Sequence, residues 1–399
     1  MIFRSNNPKI YNRRNFLKSI GLGITSSLFG SIPFTLASDN IVRIGVLLPI
    51  SGEADDILKQ MQAGIEAGIQ KLNSNGGILG RRVEAIYKDS EGHPNNLDKV
   101  CKELVKEDKV SGIIGPFIAA GRKYASRHLS NLNTPLISAT NHEGRFCHPN
   151  FFTIGPTPSQ DAKPIIDYID GGSGKKYFIL GSYPSWQNSM FRQARFFIYP
   201  HEGKVRGQVL TDLGEQNFDP IIKWIAQTDT EVILFCIPRN NSSYFFKQLS
   251  NMGLIDRFKF AWIGFNELHH KNLSLEERKR IFTCSSFVMS DERLEAQDFV
   301  GRVKSMQGND FPVTYYAHNH ATAVAALAES LEKAGEISGR AALKTLPGLS
   351  YKTASGNIET IDKESHHSSL NLVIAGGSNN NISILRRLGS VKADAGCKI

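Results

Sequence analysis

Hydrophobic residues alternate between two patterns along the chain from Ile41 onward. Short apolar runs without internal alternation, such as 41–48 and 110–114, are followed by stretches whose apolar residues recur every three or four positions. The first pattern is typical of strands buried on both faces of a parallel sheet, and the second of amphipathic helices that pack on such a sheet. The repeated order of strand and helix therefore predicts an α/β fold with parallel sheets.

Two such series follow one another. The first predicts strands at 41–48, 83–87, 110–114 and 135–138, with helices at about 61–72, 97–105 and 119–132. An extended piece bounded by prolines, 149–156, leads into the second series. That series predicts strands at 177–181, 204–209, 231–237 and 258–263, with helices near 159–169, 188–199, 218–228 and 242–252. Helices at 292–307 and 316–334 and short strands at 368–374 and 382–387 follow. The polar tail from Val391 is expected to fray.

Small and polar residues follow two neighbouring strands of the first series. The strand at 110–114 leads to Phe117, Ala119 and Ala120, and the strand at 135–138 leads from Ser138 to Thr140. Ligands of open parallel sheets bind in the crevice outside the carboxyl ends of the strands. Free backbone N–H groups, a hydroxyl and a helix N-terminus there could bind a carboxylate or an amide. An ordinary strand–helix–strand unit with small-residue turns remains an equally open interpretation.

The N-terminal 37 residues read as a targeting segment. They carry five basic residues and no acid, and an apolar stretch leads to a small-x-small cleavage pattern ending at Ala37. Arg13 and Arg14, followed by Phe-Leu-Lys, resemble the twin-arginine export signal for folded proteins, although a chance arginine pair in an ordinary secretory signal is the alternative. Cleavage near Ala37 predicts a periplasmic mature protein. The apolar run of the targeting segment is interrupted by glycine and proline, so this segment makes a poor permanent membrane span.

Charge and candidate chemistry narrow the function. Without the first 37 residues the chain has 42 basic and 38 acidic residues, a small excess that argues against dedicated nucleic-acid binding. The five cysteines form no C-x-x-C pair, so neither a disulfide framework nor a zinc site is indicated, although one disulfide remains possible. The histidine pairs lack the spacing of metal ligands, and no G-x-S-x-G nucleophile motif occurs. We therefore expect no metal, no cofactor and no catalytic residues.

Several segments together resemble the type I periplasmic solute-binding proteins, in particular the receptors for branched-chain amino acids, urea and short-chain amides of ABC transporters. The segments that carry the resemblance include IVRIGVLLPISG (41–52), QAGIEAGIQKLNSNGGILGRRVEAIYKDSEGHP (62–94), GIIGP (112–116), PLISATNHEG (135–144) and PNFFTIGPTPSQ (149–160). The resemblance implies two Rossmann-like lobes with parallel sheets, joined by a hinge of three crossovers that closes on a ligand. Lobe one would comprise 41–155 plus 289–352, lobe two 156–288 plus 353–390, and 391–399 a polar tail.

The resemblance also implies roles for individual residues of the first lobe. Members of the family usually carry a ligand-binding hydroxyl in the turn after GIIGP, whereas Phe117 and Ala119 occupy the matching positions here, next to Ala120. Thr140 matches a ligand-binding threonine, and Ser138 stands where amide receptors have a tyrosine. The first-lobe turn therefore departs from the family pattern, and Thr140 keeps it.

Two segments of the second lobe match the other side of the family's site. Tyr183 and Trp186 lie in the segment that bears an aromatic residue covering the ligand, and Trp186 is the better candidate for that role. Glu267 matches the region where amino-acid receptors carry the acid that pairs with the ligand's ammonium group. Together with Thr140, these residues form the predicted site.

The sequence thus predicts an exported, non-catalytic binding protein. It would capture a small polar ligand (urea, a short-chain amide or an amino acid) between its lobes and deliver it to the membrane permease of an ABC transporter, without nucleic acid and without stable membrane insertion after signal removal. A sensor of the same fold that regulates a kinase or an amidase remains an alternative. A hydrolase of amides or esters on an α/β scaffold is a less favoured one.

Overall fold

The computed structural model of the chain describes residues 40–49, 55–89, 94–117, 119–182, 185–237 and 239–399. The predicted signal segment, with Arg13, Arg14 and Ala37, lies outside the described residues. Within them, the strands form two sheets, and apolar clusters lie on both faces of each sheet. This arrangement confirms the predicted α/β class with parallel-strand sheets.

The first sheet is parallel throughout. Its elements along the chain are β1 (Ile41–Leu48), α1 (Asp55–Ser74), β2 (Arg82–Asp89), α2 (Pro94–Lys102), β3 (Ile113–Ile114), α3 (Ala119–Ser130), β4 (Leu136–Ser138) and β5 (Phe151–Thr153). The strands lie in the order β2-β1-β3-β4-β5. β3 is shorter than the predicted strand 110–114. The Asp108 N–H donates to the Glu103 carbonyl and closes a π-helical turn at Glu103–Glu107, and the Val110 N–H still bonds back to the Leu104 carbonyl of that turn.

The second series builds the parallel part of the second sheet. Its elements are α4 (Pro158–Asp170), β6 (Lys176–Ser182), α5 (Ser185–Ile198), β7 (Lys204–Thr211), α6 (Asp219–Gln227), β8 (Val232–Cys236), α7 (Arg239–Asn251), β9 (Lys259–Trp262), α8 (Glu267–His270), α9 (Leu275–Lys279) and β10 (Ile281–Ser285). The strands β7-β6-β8-β9-β10 pair in parallel in that order. The predicted strands of this series are confirmed, and β10 is an addition that its short, mixed sequence did not reveal.

The chain then returns to the first sheet through α10 (Leu294–Gln307), α11 (Tyr315–Ala334) and α12 (Gly339–Thr345). α11 lies against α1, and its Val324, Leu327 and Leu331 join the apolar core on one face of the first sheet. The close approach depends on Gly64 of α1, because a Cβ atom there would lie 2.0 Å from the carbonyl oxygen of Ala317.

The remaining strands extend the second sheet in the antiparallel sense. They are β11 (Ser350–Lys352), β12 (Ile358–Ile361), β13 (Ser368–Gly377) and β14 (Ile382–Val391). β13 pairs with β10, β12 and β14, each antiparallel, and β11 pairs with β12. This edge of the second sheet is antiparallel, because the short connection between β13 and β14 makes a hairpin instead of a helical crossover.

The C-terminal residues differ from the frayed tail that their polarity suggested. A disulfide joins Cys397 to Cys147, which follows β4, and the Ile399 N–H donates to the carbonyl of Glu364 at 2.7 Å. Cys101, Cys236 and Cys284 are free and buried. The tail is held because of a covalent bond whose pairing the spacing of the cysteines could not specify.

Candidate functional site

The carboxyl ends of β3 and β4 lie side by side in the first sheet. Ile113 and Ile114 of β3 are in register with Leu136 and Ile137 of β4. The turns that follow these strands, which contain the predicted residues Phe117 and Thr140, therefore emerge together at one edge of the sheet. This is the edge where ligands of open parallel sheets bind.

A buried arginine joins the two turns. Arg122 of α3 is 2% exposed, and its Nη1 donates to the Phe117 carbonyl and to Thr140 Oγ1, both at 3.1 Å. Its Nη2 donates to the carboxylate of Glu143 at 2.6 Å, while Nε has no hydrogen-bond partner in the described part of the chain. Burial lowers the pKa of the guanidinium and Glu143 raises it, but a guanidinium keeps its charge in proteins. The two turns thus share a buried positive charge.

Thr140 is positioned to donate a hydrogen bond. It is 4% exposed, and its oxygen already accepts from Arg122. A hydroxyl group has one hydrogen to donate, so the Thr140 hydrogen remains available for another acceptor. Ser138, at the end of β4, is fully buried and its Oγ has no partner among the described residues. Both hydroxyls at this strand end can therefore bind an oxygen-bearing ligand.

A set of hydrogen-bonded side chains links this edge of the first sheet to α4, the first helix of the second series. Asn141 Nδ2 donates to Oδ2 of Asp161, in the first turn of α4, at 2.9 Å, and the Tyr315 hydroxyl of α11 donates to Asn141 Oδ1 at 3.2 Å. Burial raises the pKa of Asp161 to about 7. A Cβ atom on Gly264, which follows β9, would lie 3.3 Å from the Tyr315 hydroxyl oxygen. These side chains therefore lie between the strand ends of the two sheets.

The predicted acid Glu267 begins α8 and is buried. Its Oε1 accepts from the Met289 N–H at 2.7 Å, and Oε2 has no partner among the described residues. Burial raises the pKa of this carboxyl to about 7. The structure thus shows a buried acid, although the hydrogen bond described for it leads to the segment after β10 and not to Thr140.

The other predicted residues are described only in part. Ala119 and Ala120 begin α3, and Trp186 lies in the first turn of α5, but their side chains are outside the described part of the structure, as is the whole of Tyr183. Helix α5 does reach the first-sheet edge, since its Gln193 Nε2 donates to the carbonyl of Glu143 at 2.9 Å.

Sequence reasoning missed Arg122 and Asp161. Each is a single charged residue in a helix, where charged residues are usually solvated, and only the tertiary packing buries them. The one signal that sequence offered for Asp161 was its place just after a proline-led helix start, which is too common to be informative.

The rest of the described chain adds two observations. Among the residues described, no group of three or more His, Cys, Asp and Glu side chains is arranged to hold a metal ion. None of the described helices combines the length and the apolar character that crossing a membrane requires.

The two α/β sheets, with polar side chains between their strand ends, define the class as a binding protein of the type I periplasmic fold. A family model described as periplasmic binding protein matches residues 41–379, and the chain belongs to this family. It is accordingly a binding protein and not an enzyme. This membership confirms the resemblance seen in the sequence motifs.

Individual relatives are distant. A Leu/Ile/Val-binding protein homolog 7 of Brucella suis is 27% identical over 113 residues, which are 28% of this chain and 27% of that protein. The alignment thus spans about a quarter of the length of that relative.

Solved structures share the fold over most of the chain. The solute-binding protein of an ABC transporter from Rhodopseudomonas palustris, in complex with 3,4-dihydroxybenzoic acid, superposes with a TM-score of 0.78 at 19% identity, covering 90% of this chain and 100% of that one. A branched-chain amino acid transporter substrate-binding protein from Streptococcus pneumoniae, in complex with isoleucine, gives a TM-score of 0.74 at 18% identity, covering 88% and 100%. At these identities the likeness shows the fold alone.

Proposed function

We propose that the mature chain is a periplasmic solute-binding protein that captures a small polar ligand and delivers it to the membrane permease of an ABC transporter. The ligand class is urea, a short-chain amide or an amino acid. Membership of the periplasmic binding protein family supports the general role. The solved structures with the same fold belong to ABC transporters and hold isoleucine or a dihydroxybenzoate, which supports a small ligand with a carboxyl or carbonyl oxygen.

One observation carries the proposal: the Thr140 hydroxyl and the Arg122 guanidinium at the adjacent ends of β3 and β4. Because Arg122 occupies the oxygen of Thr140, the hydroxyl hydrogen is directed to another acceptor. The guanidinium is itself paired with the Glu143 carboxylate, so the hydroxyl hydrogen, and not a free positive charge, selects for an oxygen acceptor. A carboxylate or an amide carbonyl satisfies this requirement. Phe117 contributes its backbone carbonyl to hold Arg122, which explains how this turn can function without the hydroxyl expected there.

In this proposal the ligand lies between lobe one (41–155 plus 289–352) and lobe two (156–288 plus 353–390). Ser138, Ala119 and Ala120 line the first-lobe side. Trp186 and Tyr183, from the segment that leads into α5, cover the ligand from the other side, and the contact of Gln193 with Glu143 supports an approach of α5 to this edge. Hinge motion between the lobes would admit and release the ligand.

Export precedes this function. We assign residues 1–37 as a twin-arginine signal read through Arg13 and Arg14 and cleaved near Ala37, since the segment is basic, lacks acids and ends in a small-x-small pattern. All five basic residues of this segment belong to the precursor, so the mature protein carries only a small positive excess, 42 basic against 38 acidic residues.

A ligand screen by thermal denaturation tests the proposed function. The mature chain is heated alone and with urea, acetamide, L-isoleucine, other amino acids, benzoate and, as a neutral control, sucrose. A ligand that binds only the folded protein raises its stability by RT ln(1 + [L]/Kd), so a compound at one hundred times its Kd adds about 2.7 kcal/mol. A concentration-dependent rise with an amide, urea or amino acid supports the proposal. Absence of any rise across the panel contradicts it.

A further inference from the structure

One oxygen of a fully buried carboxylate has no partner. Asp161 is 2% exposed; its Oδ2 accepts from Asn141, while Oδ1 has no hydrogen-bond partner among the residues described. Leaving a buried acceptor unpaired is costly, more so when the group carries charge. Native structures therefore rarely keep such an atom unless a water, an ion or a ligand satisfies it. The Asn141 amide and the backbone N–H groups of Asp161 and Ala162 only partly offset the cost of burial, which raises the pKa of this carboxyl to about 7, so Oδ1 can still take a donor.

The groups around Asp161 are neutral. Asn141 binds it from the first-sheet edge, and the nearby ionisable side chains from the other elements are Tyr315 of α11, Cys236 at the end of β8 and Cys284 of β10. Burial raises the pKa of both thiols and of the Tyr315 hydroxyl, and the Asp161 charge raises these pKa values further. These groups therefore stay protonated, and none supplies a positive charge to the carboxylate.

Asp161 is linked to the Thr140 end of the proposed site through a single side chain, that of Asn141. Its partner Asn141 directly follows Thr140 in the chain, so the donor hydroxyl and the unpaired acceptor are connected through adjacent residues. A small molecule between them would meet the Thr140 hydroxyl beside the Arg122–Glu143 ion pair at one end and the unpaired Asp161 oxygen at the other. Few small ligands match both ends.

We infer that Asp161 determines specificity by accepting a hydrogen bond from an N–H group of the ligand, whose oxygen is bound by Thr140. The ligand class is therefore a molecule that carries an amide or ammonium N–H together with a carbonyl or carboxylate oxygen. This inference rests on the proposed binding function and makes it narrower, because an aromatic acid without nitrogen offers nothing to Asp161. Glu267, the acid that the sequence favoured, has one oxygen bound to the Met289 N–H and is not required for this contact.

Matched pairs of compounds test the inference by calorimetric titration of the mature chain. L-isoleucine is compared with 3-methylpentanoate, which lacks the amino group, and acetamide with N,N-dimethylacetamide, which lacks the N–H. Benzoate serves as a nitrogen-free acid. Wild type is expected to prefer the N–H-bearing member of one pair by about tenfold or more, the value of one hydrogen bond to a charged group.

Asp161→Asn should reverse the local polarity. The new side-chain oxygen can keep the bond from Asn141, which turns the NH₂ group toward the place of Oδ1, so that a donor replaces the acceptor. Affinity for the N–H-bearing compound should fall about 10- to 100-fold while that for its nitrogen-free analogue stays the same or rises. Asp161→Ala removes the carboxylate without adding a donor, so it should also lose affinity for the N–H-bearing compound. Thermal melting of each variant without ligand shows whether that variant is folded.

Glu359→Gln is the matched control. Glu359 of β12 is equally buried, with a pKa that burial raises to about 7, but one of its oxygens accepts from the Asn371 N–H of β13 and the other from the Tyr351 hydroxyl of β11. Its affinity profile should equal that of wild type. The inference is overturned if Asp161→Asn keeps the wild-type preference, or if Glu267→Gln abolishes that preference in its place. Binding of benzoate without nitrogen-bearing compounds also overturns it, together with the proposed ligand class, while leaving the general solute-binding role intact. Binding of no compound by wild type overturns both.

Discussion

Replacing Thr140 by valine tests the hydroxyl on which the proposed binding depends. Valine keeps the shape of the side chain but removes Oγ1, which accepts from Arg122 Nη1 at 3.1 Å. Arg122 retains the Phe117 carbonyl and Glu143, so the guanidinium loses one of three bonds. A hydrogen bond to a buried charged group contributes about 1.5–3 kcal/mol, and the free energy of unfolding should fall by that amount.

The same substitution should weaken ligand binding independently. The ligand oxygen loses its donor hydroxyl, a change of about 1–3 kcal/mol, which corresponds to roughly 5- to 150-fold in Kd. Thr140→Ser keeps the hydroxyl and removes one buried methyl group, so it should bind within a few-fold of wild type and lose only about 1 kcal/mol of stability. Calorimetric titration with the best compound of the thermal screen measures affinity, and denaturant unfolding without ligand measures stability.

The two readouts separate two roles for Thr140. If Thr140→Val is destabilised yet binds with wild-type affinity, the hydroxyl serves only to hold Arg122 and the ligand is bound elsewhere. If the variant loses neither stability nor affinity, the hydrogen bond between Thr140 and Arg122 has no energetic role, and the reasoning from the buried guanidinium fails.

Three further predictions concern stability and export. Glu359→Gln should gain stability relative to wild type as pH rises from 5 to 8, by at most about 3 kcal/mol. The reason is that folded wild type holds the Glu359 proton up to a pKa of about 7, while the unfolded chain releases it near 4.5. A difference in melting temperature between the two proteins that stays constant over this pH range would contradict the prediction. Joint replacement of Cys147 and Cys397 by serine should lower the free energy of unfolding by up to about 5 kcal/mol, because the disulfide closes a loop of 250 residues. Reduced wild type should be as stable as this variant. If oxidised wild type is no more stable than the variant, the prediction is refuted. Lysine at both Arg13 and Arg14 should leave unprocessed precursor in the cytoplasm, whereas normal processing on an immunoblot would indicate the general secretory route.

Much of the fold could be predicted because its strands and helices carry strong periodic signals. The strand at 41–48 and the helix face of Met61 and Ile65 are examples, since Val42, Ile44 and Val46 of the strand are buried in the same core as that face. β11 and β12 were missed because they are three and four residues long, too short for periodicity to register. They form only because β11 pairs with β12 and β12 pairs with β13, which is a tertiary effect.

The candidate site was predictable only where topology determines position. Ser138 and Thr140 follow a buried parallel strand, and any such strand places its following residues at the carboxyl edge of the sheet. Arg122 and Asp161 carry no such signal, because a lone arginine or aspartate in a helix is ordinarily solvated. Their importance comes from the burial of the charge, which only the packed structure reveals.

A crystal structure of the mature chain with the best-binding compound tests the central claim most directly. We predict the compound in the crevice at the ends of β3 and β4, with an oxygen of the ligand within hydrogen-bond distance of Thr140 Oγ1. An open groove between α1 and β2, which Glu66, Asn73 and Tyr87 help to line, lies elsewhere in the described part of the chain. A ligand bound in that groove, with the crevice unchanged, would contradict the account.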